Sequence, residues 1–277
     1  MTVSAQRIRQ RTSSPDLSLF PDLFYLGPQR TGSTWLHANL SRHPEVHLHR
    51  DKETFYFSTL GRPEAPRYRF DYLEDYLGSF REGIGMRLLK NYHALRRCGS
   101  FYRPHVRGDF TASYGVLEDD VIAEIVRIRP DVRGLILVRD PVERAWSHAK
   151  KDLVRGRARA ADENELLGFI RSPDQLARAD YRAAMTRWAR HLAPGRLFVA
   201  PYSRIGTDPE SLLDEINGFL GIRRLGGASK RHVTTRQNVT PEADVPAPLK
   251  AAVEKALAPA TASCRELLLE IGPARIY

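Results

Sequence analysis

The sequence predicts an α/β fold of the three-layer kind, a central parallel sheet flanked by helices, and three observations carry that reading. Short apolar runs alternate with amphipathic helical stretches, the pattern of strands joined by helical crossovers. The run Leu135 to Val138 is apolar without interruption, as a parallel strand buried on both faces requires. The first apolar run, ending at Leu26, breaks into a Gly-bounded, hydroxyl-rich loop that opens a helix, which is the layout of a phosphate cradle.

The elements follow in order. Residues 1–20 are polar, carry Arg7, Arg9 and Arg11, and read as a mobile arm before one domain spanning 21–277. Asp22 to Leu26 is the first strand. Ser33 to Arg42 is the helix after the loop, stopped by His43-Pro44, and Val46 to His49 leads toward the segment Asp51 to Phe57. Between about 61 and 107 the periodicity loosens into a stretch rich in aromatics and arginines, with Tyr76, Phe80 and Tyr102 among them. It suits either an acceptor-binding insertion or the core of short helices.

Leu117 to Arg129 has helical periodicity and leads into the strand Val132 to Val138. Pro141 then sits where a first-turn proline belongs. Tyr181 to Leu192 reads as a helix, Arg196 to Ala200 as a strand, and the stretch from Val154 to Ala179 as a loop over the pocket. Asp208 is placed to cap a helix that begins at Pro209 and ends before Gly221. Pro248 to Leu269 reads as a final helix packed on the sheet.

The loop carries the chemistry. Amides at a helix start, with the helix dipole, form an anion site, and the hydroxyls of Thr31, Ser33 and Thr34 are further donors. Gly27 and Gly32 have the spacing of a nucleotide-triphosphatase loop, but Ser33 stands where that loop needs its lysine, and the cation, Arg30, lies inside the loop instead. Such a P-loop-like cradle binds phosphate and is poorly suited to polarising a γ-phosphate beside magnesium.

Gln29-Arg30-Thr31-Gly32-Ser33-Thr34-Trp35 resembles the 5′-phosphosulfate loop of sulfotransferases that use 3′-phosphoadenosine 5′-phosphosulfate (PAPS). A second block, Gly134 to His148, resembles that family's 3′-phosphate strand–loop–helix, with Arg139 and Ser147 at the phosphate-holding positions. Asp51-Lys52-Glu53-Thr54-Phe55-Tyr56-Phe57 is similar to the Lys-Glu…Phe-Phe segment of the heparan-sulfate type and its bacterial relatives.

By that resemblance Glu53 is the general base, Lys52 supplies positive charge near the sulfonate, and Arg30 with Gln29 to Trp35 holds the 5′-phosphate, Arg30 also stabilising the charge on the leaving group. An attacking hydroxyl must lose a proton, and a carboxylate partly desolvated by Phe55 and Phe57 is suited to take it. Lys230, Arg231 and Arg236 occupy the place of the basic loop that closes on the nucleotide in relatives. Arg107 to Tyr114 is similar to the family's Glu-Lys-Thr-Pro-x-Tyr strand end, but Phe110 replaces its lysine and Ala112 its proline, which argues against a heparan-like acceptor.

The resemblance implies PAPS as donor, the bisphosphate PAP as product, no required metal, and a small-molecule or natural-product hydroxyl, less readily an amine, as acceptor. A small-molecule kinase shares the loop spacing, and a catalytically lapsed nucleotide-binding protein would keep the loops without needing Glu53. The chain has 277 residues and a formal net charge of +10, which fits an anionic substrate. The arginines are scattered and form no nucleic-acid motif, so no nucleic-acid partner is expected. Cys98 and Cys264 lie in no redox or zinc spacing and read as free thiols of a reducing compartment. His43, His47 and His49 lack completing ligands and read as surface or structural residues rather than a metal site. No segment approaches a membrane span, which points to a cytoplasmic enzyme with no membrane partner.

Overall fold

A computed structural model describes residues 8–151, 163–225 and 247–277. Strands β1 (Leu23–Tyr25), β2 (Val46–Leu48), β3 (Val106–Asp109), β4 (Arg133–Val138), β5 (Leu197–Pro201) and β6 (Arg275–Ile276) form one sheet in the order β2-β3-β1-β4-β5-β6. The first five are mutually parallel and β6 adds antiparallel to β5. Each parallel pair needs a long crossover, and the helices supply it.

These are α1 (Ser33–Leu40), α2 (Leu73–Gly78), α3 (Ile84–Cys98), α4 (Asp119–Ile128), α5 (Pro141–Ala149), α6 (Glu163–Ile170), α7 (Pro173–Ala179), α8 (Tyr181–Ala189), α9 (Arg204–Thr207), α10 (Pro209–Leu220) and α11 (Ala247–Ile271). Alternation along the strands sorts the core into two faces. Phe24, Ile136, Val138 and Val199 face a layer built with α2, α4, α8 and α11. Leu23, Tyr25, Leu135, Leu137, Phe198 and Ala200 face the layer of α1 and α10. The three-layer α/β reading is therefore the observed fold.

Four local readings change. Residues 8–20 are not loose: Ile8 and Phe20 are buried in the core, the Ile8 amide donates to Glu124, and Arg11 pairs with Asp75 at 2.7 Å. The stretch read as a loop to Ala179 contains α6 and α7, whose Ile170 and Ala179 pack with α5 and α11. Asp208 precedes Pro209 as expected, but its carboxylate makes no cap and accepts from Arg204 at 3.0 Å instead. Within 61–107, Tyr76, Phe80 and Tyr102 are buried, and β3 closes the stretch as a sheet strand.

His43, His47 and His49 are buried and hydrogen-bonded, hence structural rather than surface residues. Cys98 and Cys264 are free thiols.

Candidate active site

The sheet's chain reversal puts the loops after β1 and β4 side by side, at the carboxyl edge where open α/β sheets bind ligands. The loop between β1 and α1 is stitched from below. The buried Tyr25 hydroxyl donates to the Thr31 carbonyl at 2.8 Å, and the Thr31 hydroxyl donates to the Pro28 carbonyl at 2.7 Å. Burial pushes the Tyr25 phenol far above its ordinary value, so it stays a donor. The Thr31 hydroxyl, expected to face a phosphate, is thus turned inward and fully buried. Trp35 is likewise packed in the core with Leu36 and Leu40, so its indole does not face the cavity. Arg30 and Gly32 both have left-handed backbone, with φ of 73° and 88°. Gly32 adopts it freely and Arg30 is held there by its surroundings.

Arg139 leaves the end of β4, and Asp140 then caps α5 by accepting the Glu143 amide at 2.9 Å. The Arg139 guanidinium donates to the Arg30 carbonyl at 3.0 Å and lies over the Tyr202 ring, 4.7 Å from its centroid. Ser147 is two turns along α5, too far to meet Arg139 by helix periodicity alone. Arg30 bridges the gap, its Nε donating to the Ser147 hydroxyl at 2.7 Å. Arg30, Arg139 and Ser147 therefore form one cluster, and Arg30 points to the Ser147 end rather than to the end of the loop at Ser33.

That other end receives Lys52. Its ammonium donates to the Ser33 hydroxyl at 2.8 Å and lies 3.3 Å from a Glu53 carboxylate oxygen. Burial holds the Lys52 ammonium below the usual lysine range, and the Glu53 charge opposes that effect. Glu53 has φ of 71° and Phe55 of 60°, two left-handed non-glycine residues around Thr54. Such residues cost on the order of 1–3 kcal/mol each and persist where neighbours fix them.

The neighbours here belong to the end of β3. The Glu53 amide donates to the Phe110 carbonyl at 3.0 Å, and its second carboxylate oxygen accepts the Ala112 amide at 3.0 Å. Beneath them the buried Asp109 accepts from Thr54, Thr111, Tyr76 and Tyr114 at 2.6 to 3.0 Å. This clamp was missed in the sequence, although an acidic residue ending a strand and followed by Thr111 and Tyr114 is its signal. Phe57 is buried in the core with one edge on the cavity, and Phe55 lines the cavity beneath the Arg67 guanidinium, 4.6 Å from its ring centroid.

The Lys52–Glu53 end opens into a cavity of about 810 Å³, whose lining includes Gln29 and Thr34 of the loop but not Arg30, Arg139 or Ser147. Gln29, Thr34, Lys52, Glu53 and Phe55 line one side, and His148, Lys151, Gln175 and Arg178 line another. The second group was also missed. Arg178, paired with Asp174 through two bonds of 2.7 and 2.8 Å, donates to Gln29 at 2.8 Å and so ties α7 to the loop. Arg62 and Arg67 stand on the part of the wall from the aromatic-rich stretch. Lys230, Arg231 and Arg236 lie outside the described residues.

Residues 120–225, from α4 to just past α10, match the sulfotransferase family, so the resemblance seen in the sequence is borne out. The crystal structure of a sulfotransferase from Alicyclobacillus acidocaldarius is similar over 90% of this chain and 96% of its own, at 20% identity and TM-score 0.61. Weaker likenesses are to sulfotransferase STF9 from Mycobacterium avium (14% identity, 92% and 77% covered, TM-score 0.47) and to the sulfotransferase domain of the Synechococcus PCC 7002 olefin synthase (17%, 94% and 98%, TM-score 0.43). No curated protein matches the chain in sequence.

Proposed function

We propose that the chain is a sulfotransferase that moves a sulfonate from PAPS to the hydroxyl of a small-molecule or natural-product acceptor in the cytoplasm. The observation that carries this reading is Lys52, whose one ammonium spans the loop hydroxyl of Ser33 and the carboxylate of Glu53. It sets a cation at the donor end and a proton acceptor beside it, the two groups that sulfonate transfer to a hydroxyl asks for.

The residues present fit the donor. The first-turn amides of α1 have no intrahelical acceptors and suit a 5′-phosphate. The Arg30, Arg139 and Ser147 cluster suits a 3′-phosphate, and the face of Tyr202 is covered by Arg139 next to it. Arg139 and Ser147 would then distinguish a 3′-phosphorylated nucleotide from ADP or ATP. Glu53 takes the proton of the acceptor hydroxyl as the new sulfur–oxygen bond forms and the bond to the 5′-phosphate breaks. Lys52 and Ser33 meet the charge left on the departing phosphate oxygen. By analogy with phosphoryl transfer, positioning and electrostatics supply most of the acceleration.

The test is a thermal-shift titration with adenosine 3′,5′-bisphosphate beside AMP, ADP and ATP, each with and without magnesium. Bisphosphate at a hundred times its Kd is expected to add about 2.7 kcal/mol, or about 5–10 °C in Tm, with no need of magnesium. A preference for ATP with magnesium would favour the kinase reading that the Gly27–Gly32 spacing keeps open. It would also remove the roles given to Arg139 and Ser147.

A further inference from the structure

Helix α3 is built inside out. An amphipathic helix on a protein surface normally turns its apolar stripe to the core, yet the only buried residue of α3 is Ala94. Its inner side is polar: Lys90 pairs with Glu82 at 2.5 Å, and Asn91 accepts the Tyr102 amide at 2.9 Å. Its outer side carries Ile84, Leu88, Tyr92 and Leu95, spaced by four, four and three residues and therefore on one stripe. Ile84 is 82% exposed and Leu88 65%. Of the ten exposed large apolar side chains among the described residues, seven lie between 84 and 101.

The stripe continues into two concavities on this side of the molecule, neither sharing a lining residue with the catalytic cavity. A groove of about 310 Å³ runs between α3 and the segment 101–103, with Ile84, Leu88 and Phe101 in its wall. Arg87 and Arg103 line it and also the adjoining cavity of about 610 Å³, where Arg81 and Arg107 join them. Glu82 is the one carboxylate among the described residues lining that cavity, and it is already engaged by Lys90 and by His47. None of the four arginines is in an ion pair with another described residue, and the buried Nε of Arg107 has no hydrogen-bond partner.

We infer that this face is a docking surface for an anionic lipid bilayer. The apolar stripe of α3 enters the interface, and Arg81, Arg87, Arg103 and Arg107 take the headgroup phosphates. The arrangement is that of an interfacial helix: apolar side chains on one face and arginines beside it. Arginines suit phosphate through their forked donors. Charge complementarity selects this occupant. A second copy docked through the same patch would set arginine against arginine, whereas a negatively charged leaflet attracts all four. No helix among the described residues is long and apolar enough to cross a membrane, and interfacial docking does not need one. The expectation of no membrane partner rested on the want of a span, which a peripheral contact does not need.

The test is flotation of the full chain with vesicles of phosphatidylcholine alone and of phosphatidylcholine with about one-third phosphatidylglycerol, at low and high salt. Binding to the anionic vesicles is expected to exceed binding to the neutral ones at least tenfold and to weaken at high salt. The paired variants Ile84→Asp/Leu88→Asp and Arg87→Glu/Arg103→Glu change exposed side chains only, so each should keep the parent Tm and lose that binding at least tenfold. Equal binding to both vesicle types, no binding, or anionic binding that either pair leaves intact overturns the inference. So does light scattering that finds a dimer dissociated by Ile84→Asp/Leu88→Asp, because the stripe would then belong to a second copy.

Discussion

Gly32 is the position at which the cradle loop is least able to change. Its φ is 88°, and a Cβ built there would stand 2.3 Å from the Ile205 Cδ1 and 3.3 Å from the Tyr202 ring. Gly32→Ala thus carries two costs. The left-handed backbone costs about 1–2 kcal/mol once a Cβ is present. Displacing the Ile205 methyl in a packed site adds about 1–3 kcal/mol. Gly61 separates the two, since its φ is 67° but a Cβ there meets nothing within 4 Å. At about 3 °C per kcal/mol for a domain of this size, Gly61→Ala should lower Tm by about 3–6 °C and Gly32→Ala by about 6–15 °C. The loop variant should also bind adenosine 3′,5′-bisphosphate at least tenfold more weakly, because the clash with Ile205 and the strained φ both act at the residue that opens α1. Scanning calorimetry and titration calorimetry on both variants measure these quantities. Equal losses of Tm with unchanged nucleotide affinity in Gly32→Ala would refute the argument that this close approach shapes the cradle.

Two further outcomes follow from the same geometry. Glu53→Gln keeps an acceptor for the Ala112 amide and removes the proton acceptor, so turnover with PAPS should fall about a hundredfold or more while bisphosphate affinity stays within a few-fold; full activity would end the assignment of the base. Burial holds His43 below the ordinary histidine range, and its ring accepts the Glu45 amide at Nδ1 while Nε2 faces the Arg223 carbonyl, an arrangement that suits the neutral form. The unfolded chain therefore binds more protons than the folded one below about pH 6.5, so stability is lost as pH falls through that range. The Tm of the parent should decline on acidification and that of His43→Gln should decline less; parallel curves would count against it.

Most of the frame was legible because it rests on local rules. Pro141 after Arg139 and Pro209 before an amphipathic stretch mark real helix starts, and Gly221, with φ of 70°, marks a real end. What escaped depends on contacts between distant residues. Periodicity could not join Arg139 to Ser147, because the bridge is Arg30, 117 residues before Ser147. Thr31 looked like a phosphate donor until the buried Tyr25 hydroxyl placed its carbonyl, and Asp208 looked like a cap until Arg204 took its carboxylate. Ile8 reads as one apolar residue in a polar arm, and only the fold provides the core that buries it. Asp109 belongs to the same class. A buried carboxylate needs several donors, and its donors come from three separate stretches of chain.

In the proposed function Lys52 stands in space for the lysine that the loop lacks. A lysine at position 33 would be fixed to α1 and independent of the base. The small hydroxyl of Ser33 instead accepts the ammonium of Lys52, whose chain neighbour is Glu53. The left-handed turn at Glu53, anchored on the end of β3, then fixes cation and carboxylate as one unit. At 3.3 Å and an effective dielectric of about 20 their attraction is about 5 kcal/mol before solvent screening. That attraction holds Lys52 partly to Glu53 in the resting protein. If Glu53 accepts the acceptor's proton, its charge disappears and the Lys52 ammonium is left with the loop and whatever negative charge is growing there. In the proposed reaction, proton removal on one side of Lys52 would strengthen stabilisation on the other, a coupling that a lysine carried by α1 would not provide.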